Sequence, residues 1–232
     1  LNMNENTNPL LTVSHTPFAT TPFHLIKTEH FEPAMEEGMK AHNRDIDAIV
    51  NNSDEPTFAN TIVALEKSGA LLDRVTTVFG NLLSAETSDE LEVLAERMMP
   101  RLSEHSNNIS LNERLFARIK QVYDETKQGA LSQEDYMLLQ NTYNSFIRNG
   151  ANLTSEQKER FRQLSAELSV LTLKFSQNNL KETNRYELIL TSEQTDGLPA
   201  SALDAYAQAA KEKEKEGYLV TLHAPSFVPF MK

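Results

Sequence analysis

The chain has 232 residues, with 33 acidic and 22 basic side chains and a net charge of −11. That charge repels phosphate backbones and anionic lipid surfaces, which argues against electrostatic binding to nucleic acid or membranes. The chain is 39% apolar and 24% charged, as a folded globular protein should be; it has no cysteine, which excludes disulfides, Cys-ligated zinc, Fe–S clusters and thiol nucleophiles, and its seven glycines argue against Gly-rich cofactor loops.

No apolar run approaches the length of a membrane span, and the opening LNMNENTNPLL lacks the basic and apolar regions of a signal peptide. The sequence begins with Leu1 and stops at APSFVPFMK after a strand-like segment, so it reads as a piece of a longer polypeptide. Residues 1–30 hold Pro9, Pro17 and Pro22 and no helical period, and they read as an extended arm. From there to residue 184 the period is helical. Pro33 suits a first helical turn, and Met35, Met39, His42, Ile46 and Ile49 form one apolar stripe. Phe58, Ile62, Leu65, Leu72, Phe79 and Leu83 predict one long second helix, widened by Val75, Val78 and Leu82.

Thr87 and Glu90 have capping-box spacing, and Pro100 predicts a kink or an end to the helix they open. Asn112 and Ser132 are N-cap candidates for the next two helices, and Asn149-Gly150 is a stop. Thr154 and Gln157 form another capping box, ahead of a stripe of Phe161, Leu164, Leu168, Leu171 and Phe175. Residues 185–232 change character. RYELILT and YLVTLH predict an antiparallel strand pair, separated by a turn at Asp196-Gly197 and an Ala-rich helix from Ser201 to Glu216. The fold class is mainly α, with one small late β-hairpin.

Few residues offer chemistry. The six histidines include no H-E-x-x-H. His30 and Glu32 have the H-x-E spacing of zinc deaminases but lack the cysteine ligands, so His30 reads as a helix-entry residue. His42 on its apolar stripe reads as a satisfied core histidine. The pairs Glu36/Glu37 and Asp45/Asp47 read as a solvated helix face, as does the run Lys211–Glu216. Sequons at Asn51, Asn108 and Asn152 fall where capping residues are wanted anyway. No G-x-S-x-G or phosphate-loop motif occurs. No catalytic, cofactor-binding or metal residue is assigned in this chain.

The helical stretch resembles a known family on specific segments, in order: NPLL (8–11), PF–IK–EHF-PAMEEGM (22–39), DIDAI (45–49), PTFANTIVALEKSGALLDRVTTVF (56–79), ETSDEL (86–91) and ISLNERLFARIKQVY (109–123). NGANL (149–153), ELSVLTLKFSQNNL (167–180) and G-LVTLHAPSF-P (217–229) continue it. These are similar to the N-terminal part of a Dcp-type peptidyl-dipeptidase, in the zinc metallopeptidase family of thimet oligopeptidase and oligopeptidase A. The resemblance implies a neurolysin-like, mostly helical domain walling a deep channel. It also implies a catalytic domain carrying zinc on H-E-x-x-H, and short peptides cut to release C-terminal dipeptides.

That motif is missing here, so residues 31–184 are expected to be a helical N-terminal domain and 185–232 a segment leading toward the catalytic domain. The chain by itself is expected to be inactive and to hold no cofactor, with its own catalytic domain and short peptides as partners. Two alternatives stand: a free-standing helical module that binds peptides or proteins, and an oligopeptidase A-like endopeptidase fragment. Lack of cysteine suits a cytoplasmic, periplasmic or lipid-anchored parent; the cytoplasm is favoured.

Overall fold

The computed structural model describes residues 8–127 and 129–232. The chain forms two compact units, Leu1–Val170 and Leu171–Lys232. The first holds α1 (Phe31–Val50), α2 (Ala64–Lys67), α3 (Ala70–Ala85), α4 (Asp89–Ser110), α5 (Glu113–Glu125) and α6 (Gln133–Arg148). Helix α7 (Ser155–Arg185) begins in the first unit and ends in the second, which continues with β1 (Leu188–Leu190), α8 (Ala200–Glu212), β2 (Tyr218–Val220) and α9 (Ala224–Met231). The fold is therefore mainly helical with one small antiparallel strand pair.

The arm over residues 8–30 is a succession of single 3-10 turns fastened at its start. Leu10 is buried, Asn8 donates from Nδ2 to the His30 carbonyl at 2.7 Å, and Arg74 donates to the Leu10 carbonyl at 2.8 Å. His30 is a helix-entry residue: its Nδ1 accepts from the Lys27 N–H at 3.0 Å, immediately before α1.

Helix α1 buries Met35, Ile46 and Ile49 of the predicted stripe together with Phe31, while Met39 and His42 are half-buried. It lies close to α3. A methyl group at Gly38 would stand 2.9 Å from the Leu72 backbone, so only glycine lets the two axes approach this far. The Phe31 ring meets Phe79 edge-on at 5.1 Å. A second cluster joins Ile46, Ile49 and Ile62 to Leu115, Phe116 and Ile119 of α5 and to Leu139 and Phe146 of α6. Each such side chain contributes ~1.5–3 kcal/mol by leaving water. Tyr123 stacks on Tyr143 at 4.0 Å, and Tyr143 on Phe116 at 5.9 Å.

Several elements differ from the sequence reading. The long second helix is broken. A π-turn over Phe58–Val63 leads into α2, and the chain leaves the helical region at Ser68 (ψ 151) and Gly69 (φ 70) before α3 begins. Thr57 and Asn60 open the π-turn with reciprocal bonds of 3.1 and 2.8 Å. The cap of α4 is Ser88, whose Oγ accepts from the Leu91 N–H, and not Thr87. Helix α4 does not end at Pro100 but continues to Ser110. The caps at Asn112 and Ser132 and the box at Thr154/Gln157 form as the sequence predicts.

Helix α7 is turned over. Leu164, Leu168, Leu171 and Phe175 are exposed, Phe175 by 75%, while Lys158, Leu173 and Gln177 are buried. Within the first unit, Lys158 donates to Glu113 Oε1 at 2.9 Å, Arg162 bonds Asn108, and Ser103 Oγ donates to the Ser165 carbonyl. Polar contacts hold this part of the helix.

In the second unit Leu188 stands opposite Val220, and Leu190 opposite Tyr218. Leu190, Val220, Ala202 and Tyr206 form its core, and the Tyr206 hydroxyl donates to the Ser226 carbonyl at 2.7 Å. The lysine-rich run that follows α8 is more than a solvated one. Lys213 donates to Glu187 Oε1 at 2.6 Å and Lys215 bonds the other oxygen, fastening the approach to β1. The closing residues form a short helix whose Phe227, Val228 and Met231 remain exposed.

Candidate functional site

Within the first unit an open cavity of about 820 Å³ is bounded by α1, the break between α2 and α3, α4 and the end of α6. Its polar lining includes His42, Glu66, Ser68, Asp73, His105 and Asn149. The break makes the cavity possible. Gly69, in the left-handed region, turns α3 away from α2, and its N–H donates to Asp45 Oδ2 at 3.2 Å. The turn thus presents Ser68 to the ring of His42.

The hydrogen-bond network fixes the proton positions. Ser68 Oγ lies 2.6 Å from the Leu65 carbonyl, which can only accept, so the single hydroxyl proton is committed there. The 3.2 Å contact between His42 Nε2 and Ser68 Oγ is therefore donated by the imidazole. His42 protonated at Nε2 leaves Nδ1 to accept, and His105 Nε2 donates to it across 3.1 Å. The two rings meet edge to face, with centroids 5.1 Å apart. Burial pushes His42 below the ordinary histidine range, and the Asp45 charge pulls the other way. Burial also lowers His105, and the neighbouring His42 adds to the fall.

This arrangement has the parts of a serine–histidine pair with the proton running the wrong way. A nucleophilic serine gives its proton to the imidazole, whereas here the imidazole donates to the serine. Ser68 is not activated. Among the described residues no group of three or more His, Asp or Glu side chains could hold a metal ion.

The carboxylates of α1 are placed on the surface and partly paired. Glu36 accepts from Arg101 at 2.7 Å, which holds its carboxyl below the usual carboxylate range. Glu32 bonds Arg97 at 2.6 Å, and Glu37 bonds Arg44 at 3.1 Å. Asp45 and Asp47 are exposed. No two of these carboxylates share a proton or an enclosed pocket, so paired acid–base chemistry has no seat here. The sequence identified His42 as a polar residue on an apolar stripe, but gave no reason to couple it with His105, 63 residues on. The one local signal was Ser68-Gly69 inside an otherwise helical pattern.

No known protein-family model matches the chain. Curated proteins do. A dipeptidyl carboxypeptidase of Salmonella typhimurium is 38% identical over 212 residues, which are 91% of this chain and 31% of that protein. The chain is a relative of the dipeptidyl carboxypeptidases and oligopeptidases A. Oligopeptidase A of Escherichia coli is 31% identical over 97% of the chain and 33% of its own length. A thimet-like oligopeptidase of Dictyostelium discoideum is 26% identical over 88% of the chain. The chain spans about a third of the length of these curated relatives. Residues 56–79, one of the stretches that carry the resemblance, form the π-turn, the Ser68–Gly69 break and one wall of the cavity.

Proposed function

We propose that these residues form the N-terminal, channel-walling part of a zinc-dependent peptidyl-dipeptidase that releases dipeptides from the free C-terminus of short peptides. The observation that carries this reading is the match over nine-tenths of the chain to only 31% of a dipeptidyl carboxypeptidase. The higher identity to the dipeptidyl carboxypeptidases, 36–38% against 30–31% for the bacterial oligopeptidases A, supports the peptidyl-dipeptidase branch.

The residues present do not fit a zinc site. H-E-x-x-H is absent, and among the described residues no three potential ligands converge. No hydrolytic step is assigned to this chain. Its part is steric: packed helices that admit a narrow unfolded peptide and exclude a folded protein. The exposed apolar stripe of α7 supports a role beside further protein, since Leu164, Leu168, Leu171 and Phe175 gain nothing from water.

The test is a hybrid that places this chain ahead of the unmatched two-thirds of the Salmonella relative. The hybrid should release dipeptides from peptides with a free C-terminus and spare those with an amidated one. The 232-residue chain alone should cleave neither kind of peptide and should bind no stoichiometric zinc. Hydrolysis by the chain alone, or one tightly held zinc per chain, overturns the reading.

A further inference from the structure

We propose that His42 and His105 form an acid-released clasp, which ties α1 to α4 while the pair carries no more than one positive charge and lets go when it takes a second. The first support is the direction of the hydrogen bonds. His105 donates to His42, His42 to Ser68, and Ser68 to the Leu65 carbonyl, so His105 Nε2 and both nitrogens of His42 have fixed roles and His105 Nδ1 is left to take up a proton. A first proton entering at His105 Nδ1 leaves the ring-to-ring bond intact and strengthens it, because the donor becomes charged. A second can enter only at His42 Nδ1, the accepting nitrogen. Two N–H groups then face each other at 3.1 Å between two cations, and the contact must open.

The second support is position. The clasp is set at the cavity, where opening has room to occur. His105 is only 8% exposed, so its charge has little water to turn to. Asp45 on α1 is the charged group that acts on His42, and the charged side chains that line the cavity beside the pair are acidic. They are Glu66 on α2 and Asp73 on α3, while α6 contributes only neutral Ser145 and Asn149. A doubly charged pair therefore has acceptors to move toward, and His42 would leave Ser68 and His105 for Asp45. Because Asp45 also accepts from the Gly69 N–H, that movement loosens the turn between α2 and α3. The clasp belongs to the folded chain alone and does not depend on the peptidase reading.

The test is NMR of the histidine rings in the intact chain from about pH 8 to about pH 4, with amide-exchange protection factors followed in parallel. Exposed His15, His24 and His223 are the internal references. His42 and His105 should titrate in two coupled steps, the second at least tenfold weaker in proton affinity than the references, about one pH unit. Protection of the Gly69 and Asp73 amides should fall with that second step. His105→Leu should leave His42 with a single-step curve and abolish the pH-dependent part of the protection. Three results overturn the clasp: two independent curves at the reference midpoint, a second proton not taken up by about pH 4, or protection that does not change across the second step. The wild-type measurements decide the matter even if the variant fails to fold.

Discussion

Gly69 lies against the imidazole of His42 so closely that a methyl group on its Cα would stand 2.7 Å from Nδ1 and 2.8 Å from Cγ. The same residue has φ 70, a conformation that costs any L side chain energy. Gly69→Ala should therefore cost roughly 2–4 kcal/mol, backbone strain and overpacking together. A urea midpoint lowered with an unchanged slope would show this. Gly80, where a methyl group would meet nothing, is the control, and Gly80→Ala should be neutral or slightly stabilising.

Lys158 is buried on α7 and its ammonium has Glu113 as its partner. The Lys158 ammonium holds the Glu113 carboxyl below its usual range, so the folded state binds that proton less readily than the unfolded chain does. The contribution is present in full above the unfolded value of about 4.5 and is lost as pH falls through the lowered one. Glu113→Gln should weaken the protein at neutral pH, and the difference from wild type should shrink in acid. Lys158→Met, which removes the buried charge itself, should cost less than Glu113→Gln. Unfolding curves at neutral and acid pH distinguish the outcomes.

The two sides of α7 should respond oppositely to change. Leu168→Gln and Phe175→Gln alter side chains that are 64% and 75% exposed and should shift stability by less than about 0.5 kcal/mol. Leu173→Ala, at a buried position, should cost about 2–3 kcal/mol. Binding of an apolar dye should fall in the glutamine variants and rise in the alanine variant.

Tyr206 is almost fully buried in the second unit, and its hydroxyl reaches the Ser226 carbonyl. Tyr206→Phe keeps the ring and removes the bond, at an expected cost of about 1–2 kcal/mol. Amide exchange over β2 and α9 should quicken, while that of α1 to α6 should not. Quickening in both units would show that they unfold together.

Local chemistry made much of the chain legible. Asn112, Ser132 and the Thr154/Gln157 pair cap helices because their side chains satisfy orphan N–H groups within three residues, which a sequence displays directly. Most of the α1 stripe and the two strands followed from period alone, and residues 56–79 were among the segments that carried the family resemblance. The break at Ser68 was not legible, because Gly69 is needed by the ring of His42 from another helix.

The tertiary structure also decided what period cannot. Phe161 to Phe175 repeat as a buried stripe would, yet spacing states only which side chains share a face, not whether another element covers it. Here Lys158 and Arg162 turn the other face of α7 inward through Glu113 and Asn108. The sequence by itself determined most helices, the caps at Asn112, Ser132 and Thr154/Gln157, the strand pairing and the kinship. The pairing of His42 with His105 required two residues distant in the chain to meet, and only the packing of α1 against α4 and α3 brings them together.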